Sequence, residues 1–320
     1  MTSFLATQYP VSLILVKPFR LSGLIAAPFT PFNADFSLNL AAVPVIARHL
    51  IRQKVTGAFV GGTTGEWSSL TQGERKALTV AWRKAAGSRL KVIVHVGHNC
   101  LADSRELAAH AEASKADAIG AIMPSFFRPL TLDDCVDYCR QIAAAAPRTP
   151  FYYYHFPEIT GVNFNMVDFL PAAKKAIKTF RGIKFTYYNL MDYGSVLAAA
   201  GDRYDILFGR DEILLGGLAA GAQGAVGSTY NYCAKLHYKL IRLVAAGKAD
   251  EARELEVYIQ KIMALLGKYD GGIVSGKAIM AMLGVDCGPC RPPFGKFPAK
   301  KRDALRAELA KLRFFSAVKV

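Results

Sequence analysis

The sequence predicts an α/β protein, a (β/α)8 TIM barrel followed by a small C-terminal helical extension. Short apolar runs with the residue types of strands alternate with longer segments of helical periodicity, and eight such units fit into about 220 residues. An open doubly wound sheet is the competing prediction. It would normally show a Gly-x-Gly-x-x-Gly turn after the first strand, where this chain reads Ala-Pro-Phe-Thr-Pro-Phe.

Eight strands are predicted in order along the chain. Each precedes a helical pattern, as after the second strand, where Leu78, Ala81, Trp82 and Ala85 share one helix face. The predicted strands are Leu24–Pro28, Ala58–Gly61, Val92–Val96, Ile119–Met123, Phe151–Phe156, Ile183–Thr186, Ile206–Gly209 and Ala225–Ser228.

The strand pattern ends near residue 247, which predicts three parts. Residues 1–22 form an N-terminal extension, 23–247 the (β/α)8 barrel and 248–320 a C-terminal region, with helices over 250–267 and 298–313. The extension lacks acidic residues, which weakly supports organellar targeting, but it lacks the charge order and cleavage site of a secretory signal. We expect a cytoplasmic protein.

The composition argues against several classes of partner. The formal net charge is +15, but the basic residues near the C-terminus alternate with apolar positions as on a solvated helix face. We see no nucleic-acid-binding signature and no apolar run long enough to cross a bilayer. Cys287 and Cys290 form an isolated CxxC, so we expect no metal site and six buried, reduced thiols.

Lys184 is the first candidate for chemistry, because it interrupts the apolar run Gly182-Ile183-Lys184-Phe185-Thr186. Burial disfavours the ammonium form, and a neutral amine can attack a ketone to form an imine. Alternation along the strand places Lys184 and Thr186 on one face. From the strand context alone, a lysine that snorkels to solvent is an equally good interpretation.

Tyr154 ends the neighbouring fifth strand and is expected to approach Lys184, where its hydroxyl would relay protons. Tyr152 and Tyr153 are expected to pack, and His155 to be structural. Barrel active sites form at the carboxyl ends of the strands, which focuses the search on such positions.

Three further strand ends carry polar groups. Thr63 and Thr64 lie in the Gly-rich turn after strand two, which suits a carboxylate or serves only as a tight turn. The ends of strands seven and eight suit the hydroxyls of a sugar, or cap the helices that follow them. Their candidate residues are Gly209, Asp211, Glu212 and Ser228.

These motifs together resemble the N-acetylneuraminate lyase and dihydrodipicolinate synthase group of class I aldolases. The resemblance extends from Gly23 to about Pro293 and is carried by Gly62–Glu66, Tyr154–Pro157 and Gly182–Lys184. Synthases of the group usually have an arginine shortly after Tyr-x-x-Pro, which is absent here. The Gly-x-Asp-Glu and Gly-Ser-Thr-Tyr-Asn segments are similar to the lyase branch.

The resemblance implies cleavage of N-acetylneuraminate to N-acetylmannosamine and pyruvate. Lys184 would form an imine with the substrate's C2 ketone, Tyr154 would relay the proton, and Thr63 and Thr64 would bind the carboxylate. No cofactor would be needed, and the protein would be a homotetramer. The sugar hydroxyls would be held by Thr186, Gly209, Asp211, Glu212 and Ser228.

Two other functions stay open from the sequence. One is another pyruvate-dependent 2-oxoacid aldolase or synthase, and the other a non-catalytic barrel that binds anions.

The chain also departs from its relatives at two places. Phe126 and Phe127 occupy the loop where many relatives have an intersubunit tyrosine, and Tyr187 and Tyr188 follow Thr186, where they are expected to affect the pocket.

Overall fold

A closed parallel barrel of eight strands dominates the computed structural model, which describes residues 19–319. The strands pair in sequence order, and the last pairs with the first. This architecture confirms the predicted fold class. The strands are β1 Gly23–Ala26, β2 Gly57–Val60, β3 Lys91–His95, β4 Ala118–Ile122, β5 Phe151–His155, β6 Phe180–Phe185, β7 Asp205–Phe208 and β8 Gly224–Gly227.

Each observed strand overlaps its predicted counterpart, and most begin one residue earlier than predicted. There are two exceptions: β5 begins at Phe151 as predicted, and β6 begins at Phe180 rather than Ile183. Phe180 pairs with Phe151 of β5, but the intervening Arg181 and Gly182 break the apolar run from which the strand was predicted.

Helices surround the barrel and follow each strand. Two of them begin with a capping box, in which the Thr71 and Thr131 side chains each accept a backbone N–H one turn into the helix. The helices are α1 Val43–Arg52, α2 Gln72–Ala86, α3 Leu101–Ala113, α4 Leu132–Ala144, α5 Pro157–Thr160, α6 Met166–Ala176, α7 Leu190–Ala200, α8 Leu214–Ala219, α9 Ala234–Ala245, α10 Ala249–Lys268, α11 Gly271–Met282, α12 Ala299–Lys311 and α13 Phe314–Val318.

Alternation along each strand divides the core into an outer layer beneath the helices and an inner layer inside the barrel. Strand β5 shows both layers. Tyr153 points outward, with its ring centroid 4.7 Å from that of Phe169 on α6. Tyr152 and Tyr154 point inward, and the Tyr152 hydroxyl donates to the buried Asp205 carboxylate at 2.6 Å. Tyr152 and Tyr153 therefore pack, as predicted.

The C-terminal region packs against the barrel through α10 and α11. The predicted helices over 250–267 and 298–313 correspond to α10 and α12, whereas α11 was not predicted. Its segment contains three glycines, which lower helix propensity, and most of its residues are buried on all sides. An amphipathic stripe is therefore missing from this helix.

Three further observations concern the segment before β1, the cysteines and the helices. Most of the predicted extension lies outside the described residues, but Leu21 is buried and its backbone N–H donates to Asp205 at 2.9 Å. The expectation of six buried thiols was wrong for Cys100, which is exposed next to the start of α3. Within residues 19–319, no helix has the length and hydrophobicity to span a membrane, and no cluster of three metal-ligating side chains occurs.

Candidate active site

A cavity of about 550 Å³ opens at the carboxyl ends of the barrel strands. It brings together all nine candidate residues from the sequence, which come from strands two, five, six, seven and eight. Residues that the sequence did not single out also line it, including Phe156, Arg210 and part of α10 and α11. The nine are Thr63, Thr64, Tyr154, Lys184, Thr186, Gly209, Asp211, Glu212 and Ser228.

Lys184 lies at the inner end of this cavity and is only 4% exposed. It is paired in register with Tyr154, and its Nζ lies 3.7 Å from the Tyr154 ring centroid and 4.1 Å from that of Phe59. Burial lowers the pKa of Lys184 to about 7. At neutral pH roughly half of the amines are therefore uncharged, against about one in several thousand for an ordinary lysine.

The Tyr154 hydroxyl is buried beside the turn that carries Thr63. Its Oη lies 3.2 Å from Thr63 Oγ1, and burial raises the pKa of Tyr154 to about 12 although the Thr63 hydroxyl opposes this. The phenol therefore keeps its proton at neutral pH. The buried Thr186 hydroxyl has no hydrogen-bond partner among the described residues, so it is available to a bound molecule.

The turn after β2 is fixed in position from several sides. Gly61 and Glu66 adopt left-handed backbone conformations, with φ of +63° and +55°, and the Thr30 hydroxyl donates to the Gly65 carbonyl at 2.6 Å. The buried Glu66 carboxylate forms an ion pair with Lys277 Nζ of α11 at 2.7 Å. It also accepts the Arg291 backbone N–H at 2.9 Å. C-terminal residues thus brace the turn that carries Thr63 and Thr64.

Asp211 stabilises the loop after β8 as well as lining the cavity. One of its carboxylate oxygens accepts the backbone N–H of Thr229 at 2.7 Å and the Thr229 hydroxyl at 2.6 Å. This contact is structural, but it joins the ends of β7 and β8 and does not cap the helix that follows Asp211, which was the alternative considered from the sequence. The same contacts fix Ser228, which precedes Thr229, at the cavity wall.

Glu212 belongs to a cluster of charged and aromatic side chains. Its Oε1 accepts the Tyr188 hydroxyl at 2.6 Å and lies 3.6 Å from Arg210 Nη1. Arg210 Nη2 lies 2.6 Å from Glu158 Oε1, and the guanidinium carbon lies 3.8 Å from the Tyr188 ring centroid. Sequence reasoning did not single out Arg210 or Glu158. The sequence did contain a signal for Arg210, because this arginine occupies the variable position of the Gly-x-Asp-Glu segment.

Comparisons of the sequence with known proteins identify the family of this chain. The model of the dihydrodipicolinate synthetase family matches residues 20–312. N-acetylneuraminate lyase A of Xenopus laevis is 41% identical over 297 residues, which cover 92% of this chain and 97% of the relative.

Solved structures give the same result. N-acetylneuraminate lyase of Proteus mirabilis has a TM-score of 0.90 and 41% identity, with 92% of this chain and 100% of that chain covered. A catalytic lysine mutant of the Ruminococcus gnavus sialic acid aldolase has a TM-score of 0.87 and 28% identity, with 92% and 96% covered. This chain therefore belongs to the dihydrodipicolinate synthetase family, among relatives that are N-acetylneuraminate lyases.

Proposed function

We propose that the protein is a cytoplasmic N-acetylneuraminate lyase that cleaves sialic acid reversibly to N-acetylmannosamine and pyruvate. The observation that carries the proposal is the buried Lys184 amine, with a pKa of about 7, beside Tyr154 in a cavity lined by the hydroxyls of Thr63 and Thr64. The names of the relatives support the choice of substrate.

The first step is attack of the neutral Lys184 amine on the C2 ketone of the open-chain substrate. Loss of water leaves an imine, which becomes a strong electron acceptor when protonated. Thr63 and Thr64 hold the neighbouring carboxylate and so orient C2 towards Nζ. No cofactor is needed, because the protonated imine itself accepts electrons.

The imine then allows the C3–C4 bond to break. The bonding electrons move to C3 and form an enamine, while the C4 hydroxyl loses its proton and becomes the aldehyde of N-acetylmannosamine. Tyr154 Oη accepts that proton while its own phenolic proton passes through Thr63 to the substrate carboxylate held there, from which a proton later returns to C3. Protonation of C3 and hydrolysis of the imine release pyruvate and restore Lys184.

The outer part of the cavity holds the sugar. Thr186 offers a hydroxyl without another partner, and Glu212 and Ser228 offer further polar groups along the wall. Together with Gly209 and Asp211 they form the binding site for the hydroxyls of the sugar chain.

The decisive experiment is reduction with borohydride in the presence of pyruvate, followed by mass spectrometry. We expect one reduced adduct on Lys184, and none in Lys184→Ala. Lys277 provides an internal control, since it is equally buried but paired with Glu66. An adduct on Lys277, or an adduct that persists in Lys184→Ala, contradicts the proposal.

Tyr154→Phe separates the two steps. The variant keeps the aromatic ring against Lys184 but has no hydroxyl, so we expect a fall in turnover of about 10²- to 10⁴-fold with imine formation retained. Turnover at the wild-type rate would remove Tyr154 from the mechanism.

We also propose that the protein assembles as a homotetramer, as the resemblance implies. The loop after β4 supports an interface there, because Phe126, Phe127 and Leu130 are 79%, 84% and 89% exposed. Exposed apolar groups that cluster in this way commonly mark a protein contact surface.

A further inference from the structure

Arg210 lines the wall of the cavity, and the charge of its guanidinium group is offset by two carboxylates. Its side chain is 11% exposed and lines the cavity, and its guanidinium group contacts Glu158 at 2.6 Å and Glu212 at 3.6 Å. The three formal charges of this cluster sum to −1. A cationic group that would otherwise attract anions to the cavity is thus outnumbered by carboxylates.

The cluster lies closer to solvent than the Lys184 amine does. Lys184 is 4% exposed, whereas the side chains of Glu158 and Glu212 are 34% and 28% exposed, and Tyr188 is 51% exposed. A substrate whose C2 is bound to Lys184 therefore directs the other end of its carbon chain towards the cluster.

We propose that Glu158 sets the choice of acceptor aldehyde by neutralising Arg210, so that the site prefers a neutral polyhydroxylated chain end over one that carries a carboxylate. This proposal rests on the proposed lyase function. In the condensation direction, the enamine carbon of pyruvate bonds to the aldehyde carbon. The aldehyde oxygen gains the relayed proton, and imine hydrolysis releases the product.

Arg210 is expected to keep its place when Glu158 is neutralised. The guanidinium carbon lies 3.8 Å from the Tyr188 ring centroid and 5.0 Å from that of Phe156, and Glu212 remains beside it. Such stacking favours arginine specifically. Removal of the Glu158 charge would therefore leave a guanidinium group free to bind a carboxylate in a charge-assisted, bidentate contact.

The test compares two aldehydes that differ at a single carbon, D-mannose and D-mannuronate, in condensation with pyruvate. We expect Glu158→Gln to raise the ratio of kcat/KM for mannuronate over mannose by about tenfold or more, as a new charged hydrogen bond would. Inhibition of N-acetylneuraminate cleavage by each sugar provides a second measure of the same preference. Glu254→Gln, which removes an exposed carboxylate on α10, is the matched control.

The double variant Glu158→Gln/Arg210→Met tests whether Arg210 causes the increase in the ratio of kcat/KM for mannuronate over mannose. We expect it to lose the preference for mannuronate, because the arginine supplies the contact. An unchanged ratio in Glu158→Gln, or a gain that persists without Arg210, overturns the inference. Trapping of pyruvate on Lys184 is measured in every variant, so its absence identifies failure of the proposed function instead.

Discussion

The environment of the Lys184 amine depends on neighbours from several strands. The sequence alone predicted a candidate amine, because lysine is rarely found within a buried apolar strand. Snorkelling to solvent was an equal alternative until the structure placed Nζ against the rings of Phe59 and Tyr154. Arg210 lowers the pKa of Lys184 and Asp211 raises it, but neither effect exceeds that of burial. These contacts depend on the closed barrel and cannot be read from residue spacing.

The pH dependence of cleavage should report the Lys184 amine. With a pKa of about 7, the amine gains protons below neutrality and loses its nucleophilicity. We therefore expect kcat/KM for N-acetylneuraminate to fall about tenfold per pH unit on the acid side and to level off above pH 7. Arg210→Met removes a cation that lowers the pKa of Lys184, so the acid limb should move to higher pH.

The matched control for this shift is Arg253→Met, which removes an exposed arginine on α10. It should leave the acid limb in place. A limb that stays in the same position in Arg210→Met would mean that the limiting ionisation belongs to another group.

At the scale of elements, the positions of the strands could be predicted from the sequence. The contacts between segments that are distant in sequence could not. Buried parallel strands are nearly continuous apolar runs, so their positions could be read to within about a residue at most boundaries. In contrast, Arg291 and Glu66 are 225 residues apart in sequence, and α11 has no amphipathic stripe to reveal it. From the sequence, the C-terminal region was therefore predicted to be a helical extension of the barrel. In the structure, it also lines the cavity and holds the turn after β2 in position.

The buried pair between Glu66 and Lys277 should be a measurable source of stability. Both side chains are almost fully buried, at 0% and 3% exposed. Lys277→Met leaves the Glu66 carboxylate without its partner, so we expect the free energy of unfolding in urea to fall by about 3–5 kcal/mol. Glu66→Gln in the same chain removes the unpaired charge and should recover part of that loss.

A surface pair in the same region provides the control. Lys268 forms an ion pair with Glu308 and is 60% exposed, so Lys268→Met should cost less than about 1 kcal/mol. Equal losses for Lys268→Met and Lys277→Met would show that the buried charge pair is not the cause.

At the scale of the whole molecule, the net charge of +15 opposes assembly of identical chains. The proposed tetramer therefore requires apolar contact surface, and the sequence could not show which apolar residues remain exposed. In the structure, Phe126 and Phe127 form an edge-to-face pair, with centroids 5.0 Å apart, on the exposed loop after β4. Among the described residues, this loop is therefore our candidate for the interface of the proposed tetramer.

The oligomeric state should depend on that loop and on salt. Phe126→Ser/Phe127→Ser removes two large apolar side chains, so we expect sedimentation velocity to show dissociation at protein concentrations at least about tenfold higher than for the wild type. Added salt screens the repulsion between chains of the same charge and should favour the larger species. Val80→Ser, at an exposed valine on α2, should have no such effect. A wild type that sediments as a monomer at all concentrations, or a double variant that assembles as tightly as the wild type, would exclude this loop from the interface.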